Sequence, residues 1–569
     1  MKGRLTGRHP LAVACALSAA LGAGFFLALD PRYATNDDPL IAMLPAGTGF
    51  AAAPDEHLVF SNVLVGLSLR HLHAARPGVP WYAAYLLATH LLALTGLLYA
   101  ALRARGGARG AGLFLVYFAV AAVPFANNLQ FTVAAFVAAQ AGLLLAIAPL
   151  LRGEDEGEVR LPALAAVGLA VLGSLIRFEA FLLALALTLP AAVAAGWRRP
   201  RAAWAGPAAV VAAAAVLALG ARAFDAAYYA RAADWAEYRA FNRTLAEFVD
   251  FERANDYTAE TAPAFRAAGW SRNDHRLFLQ WFHPDDDVFA TASLRAVLAQ
   301  SRPPESSAWP RLADGVRRIA RNRPARPILL ALPLALLACG AARGSRTVAA
   351  GLGAAALVLV YLAAFRKAPP HVYLPVLASP LALALVLPRQ RWAGGALRAA
   401  LAVALAVAGA AAAWSLAFQR AESEEGRARE EAYRAGLDPL RAPPERFYVL
   451  WSTFPYHVVS PLASLDPRGA ARFLALGWPQ RTPAARRMLA ARGYDDVLAA
   501  LGDARTRLVA PVEAGGWIEQ YARRHRGRDL RLVPEGTIAG MAVFRCAGGA
   551  FAGGPAAERV LRSAPAVSE

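Results

Sequence analysis

The sequence predicts a mainly α-helical, polytopic membrane protein of about eleven transmembrane helices, with an extracytoplasmic helical loop and a small C-terminal α/β lobe. Three observations lead there. The 569 residues are 57% hydrophobic and only 18% charged, with a mean hydropathy of +0.35, far oilier than a soluble chain. The apolar residues, chiefly Ala, Leu and Val, come in blocks of about twenty, the length that crosses a hydrocarbon core. Arginines gather in the short connections between blocks, as loop-charge bias requires.

The blocks follow one another as Leu11–Leu29, Trp81–Leu102, Gly112–Phe125, Leu129–Leu151, Leu161–Ile176, Phe178–Gly196, Trp204–Phe224, Pro327–Ala342, Val348–Phe365, Val372–Leu387 and Ala399–Phe418. Met1 to Asp30 has the basic start and apolar run of a signal peptide. Its run is long and many more follow, so it reads as a retained first span. The stretch Leu58–Leu72 is short, interrupted by Ser61, Asn62 and Ser68, and ends in Arg70 and His71. It reads as a helix lying along the surface.

With Lys2, Arg4 and Arg8 inside, alternation places Arg103, Arg105 and Arg109 in the cytoplasm, then Arg198, Arg199 and Arg201, Arg343 and Arg346, and Arg389 and Arg391. Counting Leu58–Leu72 as a span would reverse every later loop against that bias. Residues 1–418 then form a transmembrane domain with a first outer loop over 30–80 and a large one over 225–326. Residues 419–569 form an outer domain. Its charged helix "RAESEEGRAREEAYRAG" ends at Pro443-Pro444. Beyond it, "RFYVLWS", "TRLVAPV", "LRLVPE" and "MAVFRC" read as strands alternating with helices "AARRMLAARG" and "WIEQYARRH".

The formal net charge of +19 does not point to nucleic acid, because orientation in the membrane explains the arginines; some of the excess suits anionic lipid headgroups. The three cysteines, Cys15, Cys339 and Cys546, form neither a disulfide framework nor a zinc motif.

Chemistry-bearing residues collect on the outer side. "ATNDDPLIAML" sets Asp37 beside Asp38 just after the first span. "SLIRFEAFLL" puts Arg177 and Glu179 in a tight turn, and "AAFRKAPPHVYLPVLASP" puts Arg366, Lys367, His371 and Tyr373 in another. Asn127 and Asn128 mark a third. Ionisable groups at the edge of hydrocarbon need a partner, water or a function. Each has an alternative reading as an interface anchor, but the basic ones run against the loop-charge bias on the face that carries the acidic pair. Carboxylates beside cations at a membrane surface suit a phosphorylated lipid, with cations on the phosphate and a carboxylate as base or metal ligand. In "GWSRNDHRLFLQWFHPDDDVF", Asn273, Asp274, His275, His283 and Asp285 to Asp287 match no metal spacing, and "HPDDD" reads as the N-cap of the next helix, "DVFATASLRAVLAQ". Asp495 and Asp496 read as a solvent-facing pair.

The arrangement resembles the GT-C superfamily of integral-membrane glycosyltransferases, which use polyprenyl-phosphate sugars. In that family a first outer loop carries an acidic catalytic residue, and Asp37 and Asp38 stand in that place. Arg177 and Glu179 resemble its "R-P-E/D-G" turn, with Phe178 and Ala180 replacing Pro and Gly. "HVYLPVLASP" is similar to its "R-Y-L-L-P-x-x-P" segment through Tyr373, Pro375 and Pro380, with His371 displaced from the usual Arg. The resemblance covers Met1 to Phe418. It implies that Asp37 or Asp38 deprotonates an acceptor hydroxyl, that Arg366 or Lys367 holds the departing polyprenyl phosphate, and that Arg177, Glu179, His371 and Tyr373 bind substrate. It also implies a bacterial inner-membrane enzyme transferring to a cell-envelope glycan, lipid or protein. Some relatives use a divalent cation (Mg or Mn), which Asp37 and Asp38 would suit, and others use none. Two alternatives stand beside this: a transporter or flippase of a lipid-linked saccharide, and a non-catalytic envelope scaffold.

Overall fold

The computed structural model describes residues 9–152, 160–249, 256–300, 308–339, 343–366, 368–388, 395–441, 446–463 and 472–547. Lys367 lies outside the described residues. Eight described helices are long and apolar enough to cross a membrane: Pro10–Ala28, Trp81–Arg105, Gly107–Asn127, Phe131–Arg152, Phe178–Gly196, Ala202–Ala230, Arg346–Phe365 and Arg398–Arg434. Three shorter apolar helices, Pro162–Ile176, Ala325–Leu337 and Pro370–Val386, account for the remaining predicted blocks. The chain is a polytopic membrane protein, and leucines such as Leu27, Leu164 and Leu357 remain exposed on the outside of the bundle, as a lipid solvent allows.

Phe131–Arg152 is the central helix, buried along almost its whole length. It meets the Arg160–Ile176 helix closely because two glycines face the contact. A Cβ on Gly142 would lie 2.5 Å from the Ala166 carbonyl oxygen, and one on Gly173 would lie 2.5 Å from that of Ala135. Without a hydrophobic drive between helices in lipid, such small-residue contacts supply the packing. The Gly107–Asn127 span carries a π-helical turn at Phe118–Ala122 just before Pro124, a common way to absorb an irregularity within a helix.

Two short strands, β1 (Arg32–Tyr33) and β2 (Asn128–Leu129), pair in parallel at the end of the bundle that carries the first loop. They tie the exit of the first span to the entrance of the central helix. The helix Asp37–Ala46 follows and ends on Gly47, at φ 63°. The surface helix expected over Leu58–Leu72 is Val63–Ala75, capped by the Asn62 side chain on the Leu64 N–H at 3.0 Å. Thirteen residues reach about 20 Å, short of a bilayer core of about 30 Å.

In the large loop, the helices Ala233–Val249, Ala262–Ala267, Arg272–Leu279, Thr291–Gln300 and Ala308–Arg321 build a helical cap. The segment "HPDDD" does not cap the next helix, which starts only at Thr291. Asp285 instead accepts the Val288 N–H at 2.9 Å within a turn and the hydroxyl of Tyr521 from the tail.

The last span and the charged helix after it form one helix, Gly395–Arg441, of 47 residues and about 70 Å. It carries the α/β lobe. The strands expected there appear as β3 (Phe447–Leu450), β5 (Thr506–Ala510), β6 (Leu532–Ile538) and β7 (Met541–Cys546), joined by β4 (Phe473–Ala475). The sheet order is β4-β3-β5-β7-β6, with β3 parallel to β4 and β5, and β7 antiparallel to β5 and β6. The helices Pro483–Ala491 and Val512–Arg526 pack around it.

This lobe does not stand apart. Arg472 donates to the carbonyls of Gly47 and Ala51 at 2.6 and 2.7 Å. Asp286 of the large loop pairs with Arg481 and Arg486, and the Asn273 side chain donates to the Trp517 carbonyl at 2.9 Å. One apolar core runs from Tyr33 through the large loop to Phe544.

Candidate functional site

The acidic doublet sits where bundle, first loop and lobe meet, and its two carboxylates point to different bodies. Asp38 is fully buried. One of its oxygens accepts the Tyr82 hydroxyl and the Phe131 N–H, each at 3.0 Å, and the other faces the Thr35 hydroxyl at 3.4 Å. Phe131 opens the central helix, so Asp38 satisfies a free N–H at a helix N-terminus, where a carboxylate is favoured. Burial pushes the Asp38 carboxyl well above the usual carboxylate range and the neighbouring Asp37 charge adds to the shift, while the three hydrogen bonds offset part of it.

Asp37 is half-buried and turns toward the lobe, accepting the Trp478 indole N–H at 3.1 Å. Asn36 fixes the approach of that lobe: its amide donates to the Phe454 carbonyl at 2.8 Å, and its oxygen lies 2.8 Å from the His457 ring nitrogen Nδ1. Nothing in the local sequence around "GWPQR" announced Trp478 as a partner of Asp37, because the pairing spans more than four hundred residues of chain.

An aromatic wall links the doublet to the first of the cationic turns. Trp478 meets Phe60 edge-to-face at 5.3 Å, Phe60 stacks on Phe131 at 5.9 Å, and the Arg177 guanidinium lies over the Phe131 ring at 5.1 Å. Phe131 thus touches Asp38 through its backbone and Arg177 through its ring. Arg177 is also 3.9 Å from Glu179, which is 3.7 Å from Arg222. His371 lies in the first turn of the Pro370–Val386 helix, which packs along the central helix and touches the Phe178–Gly196 helix that follows Arg177. Arg366 stays exposed and bonds the Tyr361 hydroxyl at 3.0 Å. Tyr373 lies elsewhere: its side chain is buried among the apolar residues of the bundle core.

A shared cation does not fit the doublet, because Asp38 is engaged by the bundle while Asp37 faces the lobe. Among the described residues, the grouping able to hold a metal is Asp55, Glu56 and His57, whose ligand atoms lie within 4.8 Å of one another. Both carboxylates are already engaged. Asp55 takes the His57 ring at 2.7 Å and Arg487, and Glu56 takes Arg70 at 2.6 Å and Tyr228 at 2.7 Å. Burial alone would raise Asp55, but its hydrogen bonds from His57 and the charge of Arg487 outweigh that and lower it. His57 stacks on Trp235 at 4.7 Å. Of the large-loop residues, Asp274 closes a capping box with Ser271 and lies 3.1 Å from His525. His283 is buried against Gln480, and burial with the nearby Arg481 charge lowers its pKa well below the ordinary value. These bind the loop to the lobe.

No family model matches the chain, and no curated protein matches it. Two solved structures of ArnT from Cupriavidus metallidurans, one in the apo state and one bound to undecaprenyl phosphate, align with it at 13% and 14% identity. Each alignment covers 93% of this chain and 97% of that one, with a TM-score of 0.47. The chain is similar to them in the general course of its backbone.

Proposed function

We propose that this chain is a GT-C-type membrane glycosyltransferase of a bacterial inner membrane. It moves a sugar from a polyprenyl-phosphate donor to a hydroxyl of a cell-envelope acceptor on the extracytoplasmic face, with its N-terminus in the cytoplasm. The observation that carries this reading is a chain of contacts at one end of the bundle: Phe131 touches Asp38 through its N–H and Arg177 through its ring, and Asp37 is linked to the same ring by way of Trp478 and Phe60. A carboxylate and a cation on either side of an aromatic wall suit the displacement of a sugar from a lipid phosphate.

In this reading the two aspartates have separate roles. Asp37, half-exposed, takes the proton of the acceptor hydroxyl. The hydroxyl oxygen bonds to the anomeric carbon, and the bond from that carbon to the phosphate oxygen breaks. The electron pair leaves with the polyprenyl phosphate, which Arg177 and His371 face and to which the exposed Arg366 and its neighbour Lys367 are within one connection of the chain. Asp38, fully buried and held by the Tyr82 hydroxyl and the Phe131 N–H, braces the turn and leaves the reacting role to Asp37. Glu179 keeps Arg177 oriented. Tyr373 acts from the bundle core on the helix that presents His371.

The test is transfer from a synthetic polyprenyl-phosphate sugar by the purified chain, together with glycan and glycolipid analysis of a deletion strain. Loss of one defined sugar in the strain and Asp37-dependent transfer in vitro are expected. A deletion strain that makes every sugar but leaves a lipid-linked saccharide on the cytoplasmic leaflet would replace this reading with a flippase.

A further inference from the structure

Near the first outer loop the bundle holds two cavities lined by successive stretches of the same chain segments. The larger one, about 310 Å³, is an apolar groove between the end of the Pro10–Ala28 span, the first half of Trp81–Arg105 and the end of Gly107–Asn127. Phe25, Ala88, Leu91 and Phe118 are among its walls, and Leu462 of the tail reaches over it. The buried Ser18 hydroxyl and His90 Nε2 line this groove, and neither has a hydrogen-bond partner. Buried polar atoms without partners mark a place that something else fills.

The smaller cavity, about 150 Å³, lies directly along the same chain segments. The first span runs on from Phe25 to Asp30 and Arg32, and the third from Ala126 to Asn127 and Asn128. Glu422 and Arg429 of the long helix close it. His457, another wall residue, is the partner of Asn36, and Tyr33 lies 6.3 Å from Tyr82, which bonds Asp38. This cavity therefore opens beside the acidic turn.

An apolar slot continued by a polar chamber fits one amphiphile. The chamber's charges decide which kind. Asp30 and Glu422 balance Arg32 and Arg429, and Arg32 is already held by Asp30 and Glu430. Donors and acceptors without a net positive charge suit a hydroxyl-rich, uncharged head. They do not suit a phosphate, which needs unpaired cations. We infer that the groove and chamber hold a neutral glycolipid, whose head-group hydroxyl reaches Asp37, so that the acceptor of transfer is itself a lipid. This rests on the glycosyltransferase reading for the word acceptor, while the lipid site stands on the cavities.

The experiment uses the full chain in nanodiscs containing a monoglycosyl diacylglycerol or, separately, a polyprenyl phosphate, with retained lipid measured by native mass spectrometry in the absence of any sugar donor. Ala88 lines the groove from its lipid-facing side, so Ala88→Trp fills the slot without entering the packed core. Leu92, one turn on and 55% exposed, provides the control Leu92→Trp. The wild type and the control retain the glycolipid, and Ala88→Trp weakens retention about tenfold or more, the size of an overpacking penalty. Retention of the polyprenyl phosphate instead, with the same dependence on Ala88, would make this the donor groove and overturn the inference. So would glycolipid retention that Ala88→Trp leaves unchanged, or none in the wild type. A chain that retains the glycolipid but transfers no sugar leaves the site in place and removes the glycosyltransferase reading.

Discussion

Replacing the two neighbouring aspartates one at a time separates a base from a brace. Asp37→Asn keeps an acceptor for the Trp478 indole N–H but removes the group proposed to take the proton. Loss of a positioned general base costs about 10²–10⁴-fold in rate, or about 3–5 kcal/mol in the barrier, with little change in stability. Asp38→Asn keeps an oxygen for the Tyr82 hydroxyl and the Phe131 N–H, so both stability and transfer survive within about threefold. Asp38→Ala strands both donors in a buried site, at about 1–3 kcal/mol each, or about 2–6 kcal/mol together. Because burial raises the Asp38 pKa above its unfolded value, its contribution to stability is present at acid pH and is lost as pH rises through the folded value. Asp38→Asn, which cannot ionise, does not show that loss with rising pH. Transfer from a polyprenyl-phosphate sugar and thermal unfolding in detergent across pH read both quantities. Asp38→Asn that unfolds normally but transfers as poorly as Asp37→Asn would refute the division of roles.

Arg177→Ala is expected to raise the donor KM by about ten- to a hundredfold, the worth of a charge-assisted contact, while leaving thermal stability nearly unchanged; steady-state kinetics with varied donor check this. Trp478→Ala removes the partner of Asp37 and the ring packed on Phe50 and Phe60. It should cost about 3–5 kcal/mol, seen as a lower unfolding temperature and faster proteolysis of the lobe. Asp55, lowered on balance below its ordinary value of 3.8, adds stability above that pH and loses it as pH falls through its folded value. Acid unfolding of Asp55→Asn should therefore begin from lower stability and follow a flatter curve than the wild type.

The sequence by itself determined the helical bundle, because hydrocarbon leaves a backbone no other way to satisfy its polar groups, and block length is written directly in composition. The strand pattern of the tail and the surface helix after Asn62 were legible for similar reasons: their periodicity and caps are local. The Asp37–Asp38 turn could be picked out as charge beside oil. Its working geometry could not. That one carboxylate is buried against Tyr82 and Phe131 while its neighbour faces Trp478 depends on contacts far apart in the chain, and no local pattern encodes them. The same holds for Tyr373, whose motif suggested the site but whose ring is buried in the bundle core. It holds equally for "HPDDD", read as a cap and used by the fold to seat Tyr521 and Arg481. Charge says which residues need a partner; only tertiary packing decides which partner each one finds.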